Sequence, residues 1–250
     1  MFTCNITGDE FDLEENEKTR EGGRRFNYNI RQRAVCYCLT KELYGESKIL
    51  EDLDTNTSIK GLGLMDGDWA NMLDYKFDFI STFSYKEPLL NLYDNHDVEK
   101  YKDFDFVICS DVLQHLSPYP DIQISFDNIY SMLKPGGFLI LSVPFTYEKH
   151  TEKYPNLYDY KLEISTKGKS RLLNTTKDNE NEVFENLVFY GPPELKNLEM
   201  RMFTYDSLKK YLKNAGFVDI IFNKPDRKMR KHGIFWDNMC SLIIIAHKSL

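Results

Sequence analysis

Asp111 ends an apolar run, Phe104 to Ser110, and His115 follows one helical turn later. A carboxylate with an imidazole one turn away is a pairing that can orient a ligand and move a proton. An imidazole titrates near pH 6.5, so His115 could take a proton from a hydroxyl or ammonium nucleophile, or could order its loop. His150 is a second candidate base, in the polar and aromatic stretch YEKHTEKYPNLYD with Glu148, Tyr154 and Tyr158. Arg20, Arg24, Arg25, Arg31 and Arg33 crowd one segment of an otherwise acidic chain. The planar guanidinium fork suits a carboxylate or phosphate, so the cluster reads either as an anion clamp or as a solvated helix face paired with nearby glutamates. Gly61 and Gly63, in SIKGLGLM, would let backbone approach a ligand ahead of a helix N-terminus.

The elements that must position these residues follow from periodicity. Phe104 to Ser110 reads as a buried strand. Ile122, Ile124, Phe126, Ile129, Met132 and Leu133 then give an apolar helical face. Lys134-Pro135-Gly136-Gly137 stops that helix, and Phe138 to Val143 reads as a second buried strand. Strand, helix and strand with so short a turn predict a parallel, right-handed βαβ unit, which places Cys109, Ser110, Asp111 and Val112 at its ligand-binding edge.

Upstream, Ile30, Ala34, Val35, Leu39 and Leu43 predict a helix over Phe26 to Tyr44 that Gly45 stops. Strands are expected at Ser58 to Lys60, Phe77 to Phe83 and, briefly, Leu89 to Asp94. Downstream, KLEIST, SRLLNTT and EVFENLVFY alternate between polar turns and predict an inserted antiparallel ribbon. FTYDSLKKYLKNAGF predicts a helix ending at Gly216, Val218 to Phe222 a strand, and MCSLIIIAH a last strand. Trp236 lies on the approach to it, as a pocket wall or a core residue.

FDFVICSDVLQHL and LKPGGFLILSVP resemble motifs of the class I S-adenosylmethionine (SAM) methyltransferases. The run GLGLMDGDW, followed by FDFISTFSYKEPLLNLYD, resembles a bacterial subfamily often found beside glycosyltransferases. The resemblance covers roughly Ser58 to Lys248. It implies an α/β, Rossmann-like sheet of seven strands with the last antiparallel, an N-terminal helical cap over 1–55, and a SAM-binding domain over 56–250 carrying an insertion at about 147–201. On that pattern the cofactor meets Gly61, Gly63, Met65, Asp66 and Trp69, then Ser84, Tyr85 and Glu87, then Cys109, Ser110, Asp111 and Val112. Glu87 would accept both ribose hydroxyls, and Asp94 or Asn95 would reach the adenine. Asp66 and Asp68 follow the glycines, where the usual loop has its acidic residue before them. Arg24, Tyr28, Arg31, Glu148 and Tyr154 would face the acceptor, and the insertion would serve as a lid or a dimer-forming arm.

The implied reaction is methyl transfer from SAM to oxygen or nitrogen of a small, anionic metabolite of surface-polysaccharide or capsule synthesis. The alternatives are a catalytically silent SAM-fold partner and a nicotinamide-dependent oxidoreductase, which GLGLMDG disfavours by lacking GxGxxG. A net charge of −7 argues against a nucleic-acid partner. No apolar run reaches the roughly 18 residues that span a bilayer, and the acidic N-terminus is not a signal peptide, so a cytoplasmic location is expected. Five scattered cysteines without a CxxC pair predict thiols rather than a metal site.

Overall fold

Runs of Phe, Ile, Leu and Val with few charges form the central strands because both faces of a parallel sheet are covered. The computed structural model describes residues 1–12, 28–64, 69–84, 86–164, 170–190, 197–235 and 241–250. In chain order its main elements are α1 (Ile30–Tyr44), β1 (Asn56–Leu64), α2 (Ala70–Asp74), β2 (Phe77–Thr82), β3 (Phe104–Ser110), α3 (Gln123–Met132) and β4 (Leu133–Ser142). The insertion follows as β5 (Asp159–Ile164), β6 (Ser170–Thr175) and β7 (Asn181–Phe184). The core resumes with β8 (Arg201–Thr204), α4 (Tyr205–Ala215), β9 (Val218–Asn223), α5 (Arg227–Lys231) and β10 (Ile243–His247).

Six strands form the main sheet in the order β9-β10-β4-β3-β1-β2. β1, β2, β3 and β4 run parallel to one another, while β10 is antiparallel to both β4 and β9. This is an α/β Rossmann-like sheet with an antiparallel last strand, and it has six strands among the described residues rather than seven. Leu89 to Asp94 is not a strand: Leu89 makes a single bridge to Phe83, and Asp94 caps the short helix Asn95–Val98 by accepting from the His96 N–H at 2.9 Å. Asp94, expected near the adenine, uses that carboxylate oxygen as a helix cap.

A second correction concerns the glycines. β1 extends through Leu64, so Gly61 and Gly63 lie inside the strand and not in a ligand loop. A Cβ at Gly61 would overlap Cζ of Phe106 and stand 2.6 Å from its Cε2 and from Cδ2 of Phe79, and one at Gly63 would meet Phe79 at 2.8 Å. Phe79 and Phe106 stack with centroids 6.0 Å apart across β1. The glycines therefore let the aromatic core close over that strand, which a side chain would prevent.

Asn29 and Gln32 form a capping box at the start of α1, and Gly45 ends it in the left-handed conformation. That helix packs on β10 and β4 as part of the main core. Thr204 and Ser207 form a capping box that starts α4, and Gly216 ends it at φ 102°. The insertion's ribbon has its own small core of Tyr154, Leu157, Leu172, Leu198 and Met200. Its neck is built where Phe145–Thr146 pairs in parallel with Phe203–Thr204 and Thr151–Glu152 pairs antiparallel with Arg201–Met202.

Candidate functional site

From β1 the chain passes outward to β2 at the sheet edge, then returns to β3 on the other side of β1. That reversal opens a crevice between the carboxyl ends of β1 and β3, the position where open α/β sheets bind ligands. Register brings the strand ends level: Leu64 pairs with Thr82 and Cys109, Cys109 with Leu141, and Ser110 with Ser142. Met65 and Asp66, on the loop leaving β1, lie outside the described residues, as do Tyr85, Arg24 and Trp236. Trp69 is buried at the start of α2, and Cys109 and Ser110 are buried at the end of β3, with Val112 half-buried beyond them.

Asp111 is the focus of the crevice. Its backbone takes φ 55°, and its N–H donates to the Ser142 carbonyl at 2.8 Å, which ties the β3 and β4 ends together. Non-glycine residues pay about 1 kcal/mol or more for a left-handed backbone, and such outliers gather at functional sites. One carboxylate oxygen pairs with the Arg31 guanidinium from the first turn of α1. The other, Oδ1, is buried without a hydrogen-bond partner among the described residues, and so is the Ser142 hydroxyl. Arg31, read as a clamp for a ligand anion, thus meets an anion of its own chain. At the end of β2, Ser84 and Glu87 are exposed. Glu87 Oε2 accepts from the Leu89 N–H at 3.0 Å, as a turn carboxylate does. Tyr28 is half-buried beside α1, where burial, ahead of nearby anionic groups, pushes its phenol up.

The two histidines differ in what their nitrogens do. His115 Nδ1 lies 2.8 Å from the Leu198 carbonyl and Nε2 lies 3.2 Å from the Gln114 amide nitrogen. A carbonyl only accepts and an amide nitrogen only donates, so Nδ1 carries the proton and Nε2 accepts. Both nitrogens are committed. Burial outweighs the carbonyl bond and lowers the His115 pKa. In this arrangement the His115 ring, expected as a candidate base, anchors the ribbon segment to the Leu113–His115 turn, with Tyr190 edge-on at 5.4 Å.

His150, in the neck of the insertion, is arranged otherwise. Its Nε2 is 3.0 Å from Glu152 Oε1, while Nδ1 is buried without a partner among the described residues. The same Glu152 oxygen accepts from Arg201 Nε at 2.8 Å. Arg201 is fully buried and also donates to the carbonyls of Leu113 at 2.7 Å and Ser117 at 3.2 Å. Burial alone would raise the Glu152 carboxyl, but the hydrogen bonds from His150 and Arg201 and the Arg201 charge hold it below the usual range. Nothing in the local sequence announced Glu152 or Arg201, because 49 residues separate them.

Tyr154, expected to face the acceptor, is packed in the ribbon. Only 6% of its surface is exposed, and its ring meets Phe184 edge-on at 4.9 Å inside the ribbon's core. Glu148 is exposed on the rim. Among the described residues no cluster of His, Cys, Asp and Glu is arranged to hold a metal ion.

The fold and crevice define a class of protein. The family model described as "Methyltransferase domain" matches residues 62–220, and the chain belongs to that family. A SAM-dependent methyltransferase from Clostridium acetobutylicum shares the fold: 12% identity, TM-score 0.50, covering 90% of this chain and 94% of that one. The 1,6-didemethyltoxoflavin-N1-methyltransferase of Burkholderia thailandensis, solved with its acceptor and S-adenosylhomocysteine, is 16% identical with TM-score 0.45, covering 88% and 78%. A SAM-bound amino pentose methyltransferase from Micromonospora echinaspora is 13% identical with TM-score 0.41, covering 76% and 84%. No curated protein matches the chain.

Proposed function

We propose that this methyltransferase uses SAM to methylate an oxygen or nitrogen of a small, anionic acceptor, a phosphorylated or nucleotide-linked metabolite of surface-polysaccharide synthesis. The observation that carries the SAM reading is the β1/β3 switch point, where Asp111 Oδ1 and the Ser142 hydroxyl are buried with no partner among the described residues. Those atoms fit the ammonium and polar atoms of the cofactor's amino-acid end, and Glu87 fits its vicinal hydroxyls. Bound there, SAM supplies an activated methyl on a sulfonium. The chain's own residues then chiefly position the acceptor and exclude water. The arginine cluster of the sequence, Arg24 with its neighbours, supports an anionic acceptor; Arg31 itself is paired with Asp111. His150 is the base for a hydroxyl acceptor, because its Nδ1 has no bond to the described residues.

Thermal unfolding with excess SAM, S-adenosylhomocysteine and NAD(H) in parallel tests the cofactor. A ligand at about 100 times its Kd adds about 2.7 kcal/mol. For a chain of this length that raises Tm by roughly 5–10 °C. A shift with the first two alone is the expected result. A shift with NAD(H) alone overturns the proposal, and none at all turns it toward a silent partner protein.

A further inference from the structure

Around His150 the buried polar atoms do not balance. His150 Nε2 faces a carboxylate held below its usual range, so that nitrogen carries the proton and donates to Glu152. In the neutral ring His150 Nδ1 is then a lone-pair acceptor. Glu152 Oε2 is an acceptor too, and both are buried with no partner among the described residues. A buried polar atom left unpaired costs on the order of 1–3 kcal/mol, and two acceptors in one network call for a donor. An O–H or N–H group of a ligand is such a donor; among the described residues Arg201, the cation of this network, already serves Glu152, Leu113 and Ser117.

We infer that Glu152 and Arg201 are positioning residues that fix His150 as the Nε2–H tautomer, so that Nδ1 receives the proton of a hydroxyl or amine acceptor; the inference rests on the methyltransferase reading above. The neck supplies the rigidity. Thr151–Glu152 pairs with Arg201–Met202, and the imidazole sits against Phe203 at 5.7 Å and Tyr211 at 6.1 Å. Arg201 in turn grips the segment that leaves Asp111, so base, strand end and insertion form one hydrogen-bonded body. The charged and titratable groups around the ring are Glu152 on its own segment, Arg201 from β8 and Tyr211 from α4; Asp121 and Tyr93 lie further along the network.

In the step itself, the acceptor's oxygen or nitrogen bonds the methyl carbon and its proton passes to Nδ1. The electron pair of the broken carbon–sulfur bond stays on sulfur, leaving a neutral thioether. The imidazolium so formed keeps its Nε2–H bond to Glu152, whose charge offsets the new one.

Nitrogen-15 NMR of the full chain labelled at histidine reads the tautomer directly, with His150→Gln assigning the signal. The wild type should show a pyrrole-type Nε2 and a pyridine-type Nδ1. Glu152→Gln should mix the two tautomers, and Glu152→Asp should restore the wild-type pattern in part. An Nδ1–H tautomer in the wild type, or an unchanged pattern in Glu152→Gln, overturns the inference. Run alongside, the thermal shift with S-adenosylhomocysteine should be the same in both proteins. Its absence from the wild type would remove the cofactor reading and leave the tautomer result standing by itself. On the first hydroxyl or amine acceptor found to turn over, Glu152→Gln should lower kcat about tenfold or more with KM within about twofold; an unchanged kcat counts against the proton-accepting role.

Discussion

Asp111 and Arg31 join the first helix to the end of β3 through one ion pair, and the pair is about four-fifths buried on both sides. An ion pair so placed should couple by about 1 kcal/mol in a double-mutant cycle of Arg31→Ala and Asp111→Asn, read by urea unfolding. Asp111→Asn should also weaken S-adenosylhomocysteine binding about tenfold in calorimetry, because Oδ1 would lose its charge; unchanged binding would move the cofactor away from Asp111. Gly61→Ala tests the other residue-scale finding. Its new methyl must displace Phe106 and Phe79, so we expect a loss of about 1–3 kcal/mol with cofactor affinity retained in the folded fraction. A glycine serving only a ligand loop would show the opposite pattern. From sequence, GLG reads equally well as loop or strand, because nothing local shows that two phenylalanines 16 or more residues away converge on it.

At the scale of elements, the insertion is held at its neck and along its return. Met200 donates to the Gln114 carbonyl at 2.8 Å, His115 to that of Leu198, and Arg201 to those of Leu113 and Ser117. Arg201→Met would strand Glu152 and two carbonyls in the interior. Such losses cost about 3–5 kcal/mol, and limited proteolysis should then cut within 147–201 at protease levels that spare the wild type. α4 makes a milder test: Thr204→Ala removes its cap and should cost about 1 kcal/mol by denaturant unfolding. Periodicity located β3, α3, α4, β9 and the first two ribbon strands to within a few residues, since each carries its own apolar repeat and stop signal; the third, read over 182–190, is only Asn181–Phe184. It misread Leu89 to Asp94, where Leu89, Leu90 and Leu92 look strand-like but the Asp94 side chain starts a helix instead.

Across the whole molecule, α1 is fastened to the sheet at both ends, by Arg31 at the crevice and by Glu42, whose carboxylate accepts from His247 Nε2 at 3.0 Å at the end of β10. The Glu42 hydrogen bond, which outweighs burial, raises the His247 pKa. A raised histidine pKa stabilises the fold fully below the unfolded value near 6.5, and that contribution fades as pH rises through the folded value. Glu42→Gln should therefore lower Tm at pH 5.5 and approach the wild-type Tm at pH 9. His115 works in the reverse direction. Its lowered pKa favours the unfolded chain as pH falls below about 6.5, so His115→Asn should flatten part of the acid loss.

What the sequence by itself determined is the βαβ unit around Asp111, the helix that Gly216 ends, the existence of a last apolar strand and the presence of a ribbon of alternating segments. These are written in local periodicity, in capping residues and in apolar runs that need no partner to be read. Only the tertiary structure decided which polar groups meet. It paired Arg31 with Asp111, filled both nitrogens of His115, buried Tyr154, and set Glu152 and Arg201 behind His150. Hydrogen bonding and burial depend on residues far apart in the chain, and those distances close only when the core does.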